Sequence, residues 1–175
     1  IALVASTGGG WGGIAPFLFA YGIGVGLATA QLTGVIMVDV PMEKIGQGSG
    51  SQSTVRQIGS ALGIAVLGTV LFTSSQVAIE NRINDLAFVQ EMDAATADNF
   101  VTSISEPVVD SAGSAIPGIE AGLLAAHQSP ANAQAVVEAA GAGFTDGVKA
   151  TGWAAAFFLL LGLASTFNLG SRKKK

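Results

Sequence analysis

Between Ile58 and Phe72 the chain carries no charge at all, and two further stretches, Ile14–Val38 and Val148–Leu169, are almost as bare. The latter two exceed 20 residues and the first reaches roughly 20 with the helical residues that precede it, and at about 1.5 Å per helical residue that is enough to cross a bilayer core of about 30 Å. Soluble domains carry about 25% charged residues, whereas this 175-residue chain carries 11%. The shortage is concentrated in these three segments, which argues for a polytopic membrane protein rather than a merely apolar globule. The expected fold class is therefore all-α, a bundle of membrane-crossing helices with a long, partly helical extracytoplasmic loop.

The first complete span, Ile14–Val38, places Pro16 in its first turn, where a missing N–H costs nothing. Gly22, Gly26, Ala30 and Gly34 recur every four residues and form a smooth stripe suited to close helix packing. Gln31 lies near the middle of this apolar run, with Thr29 and Thr33 beside it and Tyr21 further back. A carboxamide facing lipid costs a few kcal/mol, so Gln31 is expected to face protein or a water-filled cavity. An interhelical hydrogen bond and a cavity-lining role are both open for it.

A short charged link, Asp39–Gly46, follows, and Pro41 stops the preceding helix. Asp39, Glu43 and Lys44 are most simply a solvated loop, although a carboxylate at the end of a span could serve proton coupling, which makes Asp39 a candidate. The stretch Gly46–Ser53 reads as a polar Gly/Ser-rich turn that leads into the second span, roughly Thr54–Phe72. Gly59 and Gly63 lie on one face of that span, and Arg56, close to its start, can snorkel to the interface or pair with Asp39 or Glu43.

The segment Gln76–Asp146 holds most of the acids, with Arg82 its only Lys or Arg. Ile79, Ile83, Leu86 and Gln90 keep helical spacing, so the second span is expected to run on as an amphipathic helix. Pro107, Pro117 and Pro130 punctuate the segment, and Ser129 is placed to cap a short helix through Ala140, with Pro130 at its first position and Gly141 after its end. In the third span, Val148–Leu169, Trp153 reads as an interfacial anchor and Gly152 and Ala156 as a small face. The tail Arg172–Lys175 is wholly basic and should be cytoplasmic, which puts the 76–146 loop and Trp11 outside and the link inside.

Several classes of chemistry find no support. There are no cysteines, and the single His127 has no companion with metal-ligand spacing. No catalytic constellation is visible, and neither a cofactor nor a metal is expected. Gly8, Gly10 and Gly13 match G-x-G-x-x-G, but the run that follows is continuously apolar, not an amphipathic crossover helix, so a nucleotide site is not expected. Nucleic acid is not an expected partner. The chain begins at Ile1, with no basic n-region before an apolar run, and reads as a piece of a longer protein whose residues 1–13 hold the end of a cut span and a loop.

The residues from Gly48-x-Gly50 and Arg56-Gln57-Ile58-Gly59-Ser60-Ala61-Leu62-Gly63 through Val70 resemble the penultimate span of the fourteen-span drug:proton antiporters of the major facilitator superfamily. Gly22–Leu27, the Val40-Pro41 link and Gly143-Phe144-Thr145-Asp146-Gly147 before a last span are similar to that family too. The resemblance implies a C-terminal portion of a proton-coupled exporter of small amphipathic molecules that works by alternating access in the cell membrane. Its partners would then be substrate, protons, lipid and the remaining spans. It also implies that the helix at Ile14–Val38 lines the central cavity, which singles out Tyr21, Thr29 and Gln31. The family's better-known motifs lie in earlier spans and are absent here. A non-transporting membrane scaffold or sensor that uses the 76–146 segment to bind a partner is the alternative.

Overall fold

The computed structural model describes residues 11–38 and 40–170. Among them every regular element is helical: α1 (Trp11–Met37), a 3₁₀ turn (Met42–Lys44), α2 (Ile45–Asn84), α3 (Ala87–Gln90), α4 (Ala94–Asp110), α5 (Ile116–Ala125) and α6 (Pro130–Gly170). Three helical stretches are long and apolar enough to cross a membrane: Ala15–Met37, Met42–Asn84 and Pro130–Thr166. The all-α membrane-bundle class is thus what the chain adopts. The chain divides within α2 into two compact units, one holding α1 and α2 as far as Val66, the other α2 from Leu67 through α6.

In the first unit, α1 starts earlier than its sequence suggests. Gly12 and Gly13 are helical, so Pro16 lies inside the helix rather than in its first turn. Its ring leaves the carbonyl of Gly12 without an i+4 donor. Gly13 of the G-x-G-x-x-G match is therefore in a helix, while Gly8 and Gly10 lie outside the described residues.

The Gly/Ser-rich stretch 46–53 is not a turn either. Pro41 and the 3₁₀ turn, closed by the Lys44 N–H donating to Pro41 O at 2.8 Å, start a helix that runs unbroken to Asn84. Propagation adds one hydrogen bond per residue fixed, so a stretch of weak helix formers continues when a strong apolar run lies ahead of it. Gly48 has a packing reason as well. A Cβ there would lie 3.3 Å from Val40 Cγ1 and 3.5 Å from Met37 Sδ, so the start of α2 folds closely against the link.

At 40 residues, α2 is about 60 Å long, twice the depth of a bilayer core. Its part from Leu67 onward belongs to the second unit, where its end helps to build a buried core. Ile79 and Ile83 are fully buried with Val89, Val101, Val108, Val136 and Ala140. On α4 the buried positions 101, 105, 108 and 109 fall at i, i+4, i+7 and i+8, a single apolar stripe. The Phe88 and Phe100 rings meet edge to face at 5.9 Å. Asp93 caps α4 by accepting the Thr96 N–H at 3.1 Å.

α4 and α5 end alike. After α4, the Gly113 N–H donates to Val108 O and the Ala112 N–H to Val109 O; after α5, the Gln128 N–H donates to Leu123 O and the His127 N–H to Leu124 O. Both are Schellman caps, and the left-handed position is filled by Ala112 (φ 50°) in one and His127 (φ 64°) in the other. His127 therefore has a backbone job.

Ser129 does cap α6, its Oγ accepting the Asn132 N–H at 3.2 Å. The helix does not stop at Gly141, however; it continues without a break to Gly170. The segment 76–146 is thus a folded helical domain whose first and last helices are continuous with two apolar spans. Of its three prolines, Pro117 and Pro130 sit at helix starts, while Pro107 lies within the last turn of α4.

Candidate functional site

α1 positions the three polar residues singled out by sequence. Tyr21 is 56% exposed, and Thr29 and Gln31 are exposed. At about 100° per residue, Thr29 and Gln31 lie some 160° apart around the helix, one on each side of the Tyr21 direction. They do not share a face, so a cavity lined by Gln31 would not also be lined by Thr29. The Gly22, Gly26 and Gly34 stripe occupies the opposite side, and a Cβ added at any of the three meets nothing within 4 Å. The same holds at Gly59 and Gly63 on α2. Among the described residues, no atom would meet a side chain added on these smooth faces. Asp39 lies outside the described residues. Arg56 is exposed on α2, and among the described residues no ion pair joins it to Glu43.

The closest helix contact lies elsewhere, between α2 and α6. A Cβ at Gly143 would fall 2.7 Å from the Ile79 backbone, and a Cβ at Gly147 would fall 2.7 Å from Ser75 Cα and strike the Ser75 hydroxyl. As the α2 position rises by four, the α6 position falls by four, so the helices cross antiparallel with two glycines at the seam. Ser75 is fully buried there and, among the described residues, its Oγ has no hydrogen-bond partner. Sequence reading missed this contact. The G-x-x-x-G signal was present, but it sat in a stretch read as loop followed by span.

Beside the seam, Asp146 joins two cations. Arg82 donates to it from Nη2 at 2.6 Å and from Nε at 3.1 Å, and Lys149 Nζ lies 3.4 Å away, one turn along α6. All three side chains are about two-fifths exposed. From Ala150 to Gly170 α6 carries no charge, and neither does α2 between Gln57 and Ile79, so this trio marks where both helices leave their apolar stretches.

A groove of about 960 Å³ opens next to the trio. Arg82, Asp85 and Leu86 of α2 and its exit line it with Ile116 of α5 and Glu138 and Phe144 of α6. Gly113, held at φ 86°, lies beneath Phe144; a Cβ there would sit 2.9 Å from the ring. The groove is within the size range of drug-sized ligand sites. Among the described residues, no group of His, Cys, Asp and Glu could hold a metal ion.

With this geometry in view, comparison with known proteins gives partial matches. The chain is 50% identical over 50 residues to the multidrug resistance protein Stp of Mycobacterium tuberculosis, in two strains, covering 29% of this chain and 9% of that protein. It is 34% identical over 59 residues to a probable actinorhodin transporter of Streptomyces coelicolor, covering 34% of this chain and 10% of that protein. The matched stretches thus span about a tenth of the length of these relatives. No family model matches the chain, and no solved structure does.

Proposed function

We propose that this chain is part of a secondary exporter of small amphipathic molecules, driven by protons and working by alternating access, of the fourteen-span major facilitator type. The observation that carries the reading is the similarity to two proteins named as drug or antibiotic transporters, in a chain whose long helices are apolar enough to cross a membrane. Its place would be the cell membrane, with the basic tail in the cytoplasm and the helical domain 76–146 outside. Three spans do not by themselves enclose a pathway between two bundles, so the working unit includes further spans.

On this reading α1 lines the central cavity through Tyr21 and Gln31. The open glycine faces at Gly22, Gly26 and Gly34, and at Gly59 and Gly63, are where other spans pack, and Asp39 and Arg56 are candidates for coupling or gating. The test is Gln31→Leu in the complete transporter. Efflux or substrate range should change while the amount of protein in the membrane does not. Unchanged transport across a broad panel of substrates would remove Gln31 from the pathway.

One observation also favours a partner-binding role for the outer domain: it has its own buried core around Ile79, Val108 and Val136. Replacing residues 87–128 with a short linker separates the two readings. Transport that persists makes the domain an accessory, whereas loss of a bound partner from a protein that never transports favours a scaffold.

A further inference from the structure

We propose that the first nine residues of α2, 45–53, are a conformational switch: helical in one state, unwound in another in which α2 begins at Thr54 and the connection from α1 gains length. The helix is weak here. Three of the nine residues are glycines and three are serines, and both types favour other conformations over a helix interior. No residue of 45–53 is buried, whereas Ser75, Ile79 and Ile83 further along α2 are. No packed apolar stripe therefore offsets the low propensity. An added Cβ at Gly46 or Gly50 meets nothing within 4 Å, so neither glycine is there to allow a close approach among the described residues; at Gly48 it would lie 3.3 Å from Val40. Pro41, which heads the 3₁₀ turn, supplies no side-chain cap.

A second helix start stands ready at Thr54. Thr54-Val55-Arg56-Gln57 has the S/T-x-x-E/Q form of a capping box, directly before the charge-free run that begins at Ile58. In such a box the Thr54 hydroxyl accepts the Gln57 N–H, and the Gln57 side chain accepts the Thr54 N–H. In the long helix the same hydroxyl is turned back and donates to Gly50 O at 3.0 Å, a local bond of the kind that bends and slightly weakens helices. An N-cap residue has a non-helical backbone, so Thr54 serves one arrangement or the other. Nine helical residues span about 13 Å and nine extended ones up to about 30 Å. Unwinding thus slackens the connection, frees Gly48 from Met37 and Val40, and lets α1 tilt without carrying α2 with it. The switch goes beyond the exporter reading and does not rest on it; in an exporter, α1 would be the cavity-lining helix that this slack sets free.

The experiment is amide hydrogen exchange along α2 in the purified 175-residue chain in an uncharged detergent, corrected for intrinsic rates. Protection should be low and similar across 46–53 and step up by at least about tenfold after Thr54, because a switched segment opens as one unit. Thr54→Val keeps the shape and removes the cap, so exchange in 46–53 should slow by about fivefold. Thr54→Asp, a stronger cap, should speed it. Gly46→Ala/Gly50→Ala should slow it by about tenfold or more. The substituted positions are exposed, and melting of each variant followed by circular dichroism checks that it folds. Protection that climbs smoothly from Ile45 is ordinary fraying and overturns the proposal. So does protection in 46–53 equal to that in 60–72, or exchange unchanged in Thr54→Val. Transport enters none of these measurements, so their failure leaves the exporter reading to the Gln31 experiment.

Discussion

Gly147 lies so close to Ser75 that any side chain on it would collide with the serine hydroxyl and backbone. This contact and its companion, Gly143 on Ile79, fix where α6 crosses α2 and thereby bring Arg82 to Asp146 and open the groove beside them. Small residues permit such an approach, and in lipid, packing of this kind is a main source of helix association.

Gly147→Val should therefore destabilise the chain by about 1–3 kcal/mol, the usual cost of overpacking a close contact. Thermal unfolding in detergent, followed by circular dichroism, measures it. Gly59→Ala, where an added Cβ meets nothing within 4 Å, should be neutral or slightly stabilising in the same assay. In the complete protein Gly59→Ala should become costly, because that face is proposed to meet another span.

Arg82→Ala should cost less than about 1 kcal/mol. The pair with Asp146 has good geometry, but both side chains are well exposed, 46% and 38%, so water and salt screen it. The difference between wild type and variant should shrink as sodium chloride is raised. A large loss that salt abolishes would mean that the ion pair, and not the glycine seam, holds the helices together.

The two left-handed caps give a test with the opposite sign. His127→Gly and Ala112→Gly relieve residues with a Cβ at φ 64° and φ 50°, and each should stabilise the helical segment 76–146 by up to about 1 kcal/mol. Gly113→Ala should do the reverse, since it combines φ 86° with a ring 2.9 Å from the new Cβ. Chemical denaturation of the three variants side by side settles the order.

Acid should loosen the start of α4. The Thr96 hydroxyl and amide beside Asp93 hold its carboxyl below the usual carboxylate range. Because the folded value lies below the unfolded one, the capping contribution is complete above the unfolded pKa, near 3.8, and is lost as pH falls through the folded value. Amide exchange at Thr96, corrected for its intrinsic rate, should speed up below about pH 4 in the wild type. Asp93→Ala should exchange fast at every pH.

Much of the domain was legible because its signals are local. Ile79 and Ile83 announce an amphipathic continuation of α2, and Ser129-Pro130 announces the start of α6. Three boundaries were misread for a common reason. Gly12–Gly13, Gly46–Ser53 and Gly141 carry residues that weaken helices in isolation, yet each lies inside a helix. Intrinsic propensity amounts to about 1 kcal/mol per glycine, which a long apolar helix on either side outweighs.

By itself the sequence determined the class of the protein: charge-free runs of membrane length, whose backbone can satisfy its hydrogen bonds only as helix where there is no water. It also determined that the acids gather in one segment and that Gln31 is out of place in lipid. Tertiary structure alone decided that Gly143 and Gly147, rather than some other glycine pair, form the tight seam of this chain, and that Asp146 meets Arg82, sixty-four residues away. The reason is geometric. Spacing along one helix tells which residues share a face, but the face that finds a partner depends on what the rest of the chain brings to it.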